Sequence, residues 1–168
     1  MVFLFTDDII VFMVNIFKQK PFPFSFLILG FLIILHSAGS YYSWYWQYSW
    51  FDFVVHAVSG LWAAMLILWL ASVFGQINSL KEYKIKTFLI AFISAILVGI
   101  VWELVENYTQ ITFTQASGYG LDTTLDIISD SIGGILAYFY FIRRRRCEDK
   151  SCEILHPFYN QTGLIKVN

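Results

Sequence analysis

The chain has 168 residues, of which 58% are hydrophobic and only 14% charged, and its mean hydropathy is +0.62. Soluble domains run at roughly 45–50% apolar and about 25% charged, so this composition excludes an ordinary water-soluble domain, and the abundant apolar surface excludes disorder. A net charge of -1, with no groove-like basic patch, argues against a nucleic-acid partner.

A hydrocarbon core of about 30 Å calls for roughly 20 apolar residues per helix. The sequence therefore reads as an all-α, polytopic transmembrane helix bundle with four or five spans over residues 1–146, followed by a cytoplasmic tail, 147–168. The opening stretch, about 2–17, is apolar but short and carries Asp7 and Asp8, so it reads as a short fifth span or a helix lying in the interface. It lacks a basic leading region and is not read as a cleaved signal peptide. The full-length spans are expected at about 23–40, 51–74, 86–106 and 122–142, the last closed by Arg143-Arg144-Arg145-Arg146. Between the first two lies Tyr41-Tyr42-Ser43-Trp44-Tyr45-Trp46-Gln47-Tyr48-Ser49-Trp50, an aromatic belt suited to the headgroup level. Asn107–Leu121, rich in Thr, Gln, Ser and Gly, has the composition of a substrate-contacting loop. Cys147, Cys152 and His156 match no standard zinc spacing and lack a fourth ligand.

Charge sets the expected orientation. Lys18 and Lys20, then Lys81, Lys84 and Lys86, then the six basic residues from Arg143 to Lys166 account for all eleven Lys and Arg. All fall on one side if the C-terminus is cytoplasmic, as the positive-inside rule requires of a cell-membrane protein.

Six of the twelve acidic residues lie in or beside three apolar helices. Asp52 and His56 sit one turn apart, Glu103 and Glu106 close the next span, and Asp122, Asp126 and Asp130 step along the last at four-residue intervals. Residues three or four apart share a helix face, so each set points one way, and the topology puts all three in the outer half of the membrane. A charge at the centre of a membrane helix costs about 2.5–3.5 kcal/mol on an insertion scale. Glu103 and Glu106 oppose the helix dipole, and Asp126 and Asp130 lie too deep to be caps. A bound cation offsets the repulsion. The oxygen-rich donor set with one imidazole favours Mg²⁺, Mn²⁺ or Ca²⁺, with Zn²⁺ or iron as further candidates. The expected metal ligands are Glu103, Glu106, Asp122, Asp126, Asp130, His56 and Asp52, with His56, Asp52 and Asp130 also the catalytic candidates. His36 and Ser37 end the first span on the same side.

Three stretches resemble the VanZ-like integral membrane proteins: Phe51-Asp52-Phe53-Val54-Val55-His56 opening one helix, Trp102-Glu103-Leu104-Val105-Glu106 closing the next, and Asp122 to Gly134 opening the last. The resemblance covers about Phe51 to Tyr140 and implies an Asp/His, Glu and Asp/Asn arrangement without an established reaction. The chain departs from VanZ in lacking a basic residue before the last helix and in carrying Asp130 where Asn is usual, so antibiotic resistance is not carried over.

These readings lead to a metal-dependent hydrolase or transferase acting on a lipid-linked or phosphorylated substrate at the outer leaflet. The alternatives are a non-enzymatic protein that binds a cation or lipid headgroup, a subunit of a larger membrane complex, and an oligomeric proton- or cation-coupled transporter. The Asp-x-x-Asp-Gly-x-x-Ala-Arg element of CDP-alcohol transferases is absent from the sequence.

Overall fold

The computed structural model describes residues 21–77, 84–109 and 119–161, with side chains described over 23–77, 84–109 and 120–145. The stretch 2–17 and most of the expected loop between Asn107 and Leu121 fall outside them. The described chain is helical: α1 (Pro21–Tyr41), the single turn α2 (Trp44–Gln47), α3 (Phe51–Val73), α4 (Lys84–Thr109) and α5 (Tyr119–Gln161). No strand occurs among the described residues.

Four of these helices are long and apolar enough to cross a membrane: Pro23–Tyr41, Phe51–Val73, Lys84–Thr109 and Gly120–Arg145. At a rise of 1.5 Å per residue, the 23 residues of α3 reach about 35 Å, longer than the hydrocarbon core. Helices satisfy their own backbone polar groups, the condition for crossing a medium without water. Their outer faces are strongly apolar: Leu27, Phe31 and Ile34 on α1, Leu97 and Leu104 on α4, and Leu136 and Phe139 on α5 are all exposed. In water such a surface drives aggregation; against lipid tails it is the expected outer face. The protein is a multi-pass membrane protein.

The arginine run does not end the last helix. α5 continues through it to Gln161, since arginine is itself a good helix former. Charge ends residence in hydrocarbon without ending the helix.

α3 is the hub, packed against α1, α4 and α5, while α1 and α4 scarcely touch each other. Small residues set the closest approaches. A Cβ on Gly60 of α3 would collide with the backbone carbonyl of Asp130, and one on Gly133 of α5 would collide with that of Ala57. The two backbones therefore touch on a small-residue stripe. Fully buried Ala91 and Ala95 on α4 and Ala137 on α5 do the same for that pair. At the end of the bundle where α4 begins, Ile28, Met65, Leu68 and Phe141 form an apolar core. The other end is polar.

Candidate metal centre

At that polar end the C-terminal halves of α1 and α4 meet the N-terminal halves of α3 and α5. Because successive spans alternate in direction, the four acidic or histidine-bearing stretches converge. The imidazole of His56 is the centre. Its Nε2 lies 3.8 Å from Asp52 Oδ1, one turn earlier on α3, and 3.9 Å from Asp126 Oδ1 on α5. Its Nδ1 lies 2.9 Å from Asp130 Oδ2, also on α5. Asp126 and Asp130, four residues apart on one face, thus address the two nitrogens of one ring.

The two nitrogens are used differently. A carboxylate only accepts hydrogen bonds, so Nδ1–H donates to Asp130, and in the neutral ring Nε2 would then carry the lone pair. The separations of 3.8 and 3.9 Å from Nε2 are too long for hydrogen bonds. They exceed by a few tenths of an ångström the roughly 3.3–3.6 Å between two donors on one tetrahedral ion with bonds of about 2.0–2.2 Å, so a small shift of the carboxylates would close them on an ion. One donor atom each from Asp52, His56 and Asp126 lies within 4.8 Å of the other two. Asp126 is 2% exposed, and its Oδ1 has no hydrogen-bond partner among the described residues. That buried oxygen is turned toward His56 Nε2.

Asp130 is fully buried. Its Oδ1 accepts a hydrogen bond from Ser59 Oγ, one turn beyond His56. Gly99 makes the room, since a Cβ there would strike the Asp130 carboxylate. With both oxygens engaged on the far side of the ring, Asp130 holds the imidazole's tautomer and angle, the usual arrangement behind a metal-binding histidine.

The remaining acids surround this cluster without entering it. Glu103 is buried, and its Oε2 accepts a hydrogen bond of 2.8 Å from Thr123 Oγ1, which ties α4 to α5. Glu106 Oε1 accepts from Trp102 Nε1 at 2.7 Å on its own helix. Asp122 is exposed in the first turn of α5, where the helix dipole favours it. The basic residues with described side chains, Lys84 and Lys86 on α4 and Arg143, Arg144 and Arg145 on α5, lie toward the opposite ends of the membrane-crossing segments.

Residues 7–146 match the model of a family described as "Predicted membrane protein (DUF2238)", which covers well over half of the chain. The chain belongs to that family. The match is to this family and not to the VanZ-like proteins, and no curated protein and no solved structure matches the chain.

In this family member the aromatic belt also turns inward. Tyr45 of α2 places its hydroxyl 2.7 Å from His36 Nδ1, and the His36 ring meets the Trp102 ring edge-on at 5.7 Å. Burial, with Asp52 and Glu106 nearby, holds the Tyr45 phenol well above its usual pKa, so it remains a neutral hydroxyl. α2 is set by Ser43 in the left-handed region, at φ 59°, and by Gly39, where a Cβ would collide with the rings of Phe51 and Tyr45.

Sequence reasoning missed Ser59, Thr123 and Tyr45. The first two were within reach: Ser59 follows His56 by three residues, and Thr123 precedes Asp126 by three, so each shares a helix face with a residue already singled out. The Tyr45–His36 contact joins two elements through a turn, and no periodic signal announces it.

Proposed function

We propose that the protein holds a divalent cation within the membrane through Asp52, His56 and Asp126, and uses it in hydrolysis or transfer on a phosphorylated, lipid-linked substrate at the outer leaflet. The C-terminus is cytoplasmic in this reading, as the basic residues require. One observation carries it: the His56 ring is anchored through Nδ1 by buried Asp130, while Nε2 faces two carboxylates at 3.8 and 3.9 Å. Ordinary packing of a buried histidine needs no second and third carboxylate.

Each residue then has a role. Two carboxylates and one imidazole combine the preferences of hard and borderline cations, which favours Mn²⁺, with Mg²⁺, Ca²⁺, Zn²⁺ and iron as the other candidates. A bound divalent ion supplies Lewis acidity, offsetting charge that develops on a phosphoryl group and lowering the pKa of water. Asp52, whose side chain is 30% exposed, is the ligand nearest to an incoming substrate and the group placed to take a proton. Asp130 orients His56. The order of the three motifs along the chain supports a distant kinship with VanZ-like proteins.

A second reading is a cation-binding protein without turnover, alone or as a subunit of a larger complex. The 2% exposure of both His56 and Asp126 favours it, since so enclosed a site suits an ion better than a bulky substrate.

Elemental analysis of purified protein before and after chelation tests the ion. The expected outcome is one divalent ion per chain, lost on chelation and lost in Asp126→Asn while the helical content persists. Protein without bound metal, whose thermal stability also ignores added Mn²⁺, Mg²⁺ and Zn²⁺, refutes the reading. Turnover of a phospholipid and polyprenyl-phosphate panel by the loaded protein separates the enzyme from the binder.

A further inference from the structure

α3 packs against both α1 and α4, yet those two scarcely meet. The gap between them is a cleft of about 250 Å³ floored by α3. At about 30 Å³ for a group the size of water, it has room for roughly eight methylene-sized groups. Along α3 its lining runs from Val55 to Trp62, about 10 Å at 1.5 Å per residue, so the cleft is elongated along the helices.

Its two ends differ in chemistry. Toward the membrane interior the walls are Leu32 and Ile33 of α1, Trp62 of α3 and Val98 of α4. Toward the aromatic belt they are His36 and Ser37 of α1, His56 of α3 and Trp102 of α4. The polar end includes the same imidazole that centres the acidic cluster. Apolar at depth and polar at the surface is the profile of an amphiphile standing in one leaflet. The walls are also open: Ile33 is 56% and Trp102 38% exposed, between helices that cross the membrane. An opening between two membrane-crossing helices would give onto lipid.

We propose that this cleft seats one hydrocarbon chain of a membrane lipid, which enters sideways between α1 and α4 and brings the lipid's polar group to His56. The occupant is an acyl or prenyl chain and not a water-soluble ligand, because the opening lies between spans and its deep end offers only apolar side chains. The delivery of a headgroup rests on the cation site proposed above; the seat for the chain does not. Its deep part is lined by Leu32, Ile33, Trp62 and Val98, none of which is among the three ligands. Ile33 and Trp102 form the lips of the opening.

The test uses the full chain in lipid nanodiscs doped with a phosphatidylglycerol that carries a diazirine in one acyl chain. Irradiation followed by peptide mass mapping is expected to label the peptides containing Leu32 and Trp62 several-fold more than that containing Leu136, which faces bulk lipid on α5. Val98→Trp, filling the cleft from α4, and Ile33→Trp, filling it from α1, should each erase the excess, whereas Leu136→Trp should leave it. Equal labelling of all exposed apolar faces, or an excess that survives both filling substitutions, overturns the proposal. Metal content is measured on the same samples. Bound ion without preferential labelling removes the chain seat alone, and preferential labelling without ion supports the seat while removing the cation reading.

Discussion

The position of Asp130 behind His56 yields the sharpest prediction. Replacing it with Asn keeps a carbonyl oxygen able to accept from Nδ1–H but removes the charge and one of the two acceptor oxygens. Partners of this kind cost about 10–100-fold in metal affinity when changed. The retained hydrogen bond puts Asp130→Asn near tenfold. Asp130→Ala, which strands Nδ1–H in a fully buried place while the Ser59 hydroxyl keeps the His56 carbonyl as acceptor, belongs near a hundredfold. The assay is thermal unfolding in detergent against added Mn²⁺. At a free ion concentration a hundred times the wild-type Kd, stabilisation is about 2.7 kcal/mol. A tenfold weaker site retains about 1.4 kcal/mol and a hundredfold weaker one about 0.4 kcal/mol at the same concentration. Asp130→Ala should also be less stable than the wild type without metal by about 1–3 kcal/mol, the cost of an unsatisfied buried polar group. Asp130→Asn should not share that loss. An unchanged Mn²⁺ response in both variants, with the wild type responding, would refute the role of Asp130 in orienting His56.

Other expectations can be checked with single substitutions or fusions. Gly60→Ala forces a Cβ into the Asp130 backbone and should cost about 1–3 kcal/mol by overpacking, read as a lowered midpoint of thermal unfolding; an unchanged midpoint contradicts the α3–α5 contact. The raised Tyr45 pKa means that the fold favours the neutral phenol, so the stability it contributes is intact below about pH 10 and declines as the pH rises beyond that value. Tyr45→Phe should flatten this decline in unfolding scans between pH 9 and 11, approximate bounds around the ordinary tyrosine pKa. Reporter fusions should place residue 168 in the cytoplasm and position 118 outside, and the reverse pattern would remove the outer-leaflet assignment.

Hydropathy and residue spacing alone determined the all-helical membrane architecture, because a bilayer imposes one requirement on every span. Twenty or so apolar residues in a row announce a crossing whatever the neighbours do. The same spacing marked Asp52, His56, Glu103, Glu106, Asp122, Asp126 and Asp130, since an ionisable group among apolar residues is conspicuous. Helical periodicity also put Asp52 beside His56, and Asp126 in line with Asp130, for it is a property of one helix taken alone.

Which of these groups share a cluster is a property of several helices at once. The depth and rotation of α3 against α5 depend on glycines at 60 and 133 and on the room Gly99 leaves, contacts between residues tens of positions apart in the chain. No local pattern encodes that register. It is this packing that puts Asp126 toward one nitrogen of His56 and Asp130 on the other, and that leaves Glu103 bonded to Thr123. The cleft between α1 and α4 has the same origin. It exists because both helices pack on α3 and barely on each other, and that choice of neighbours appears only in three dimensions.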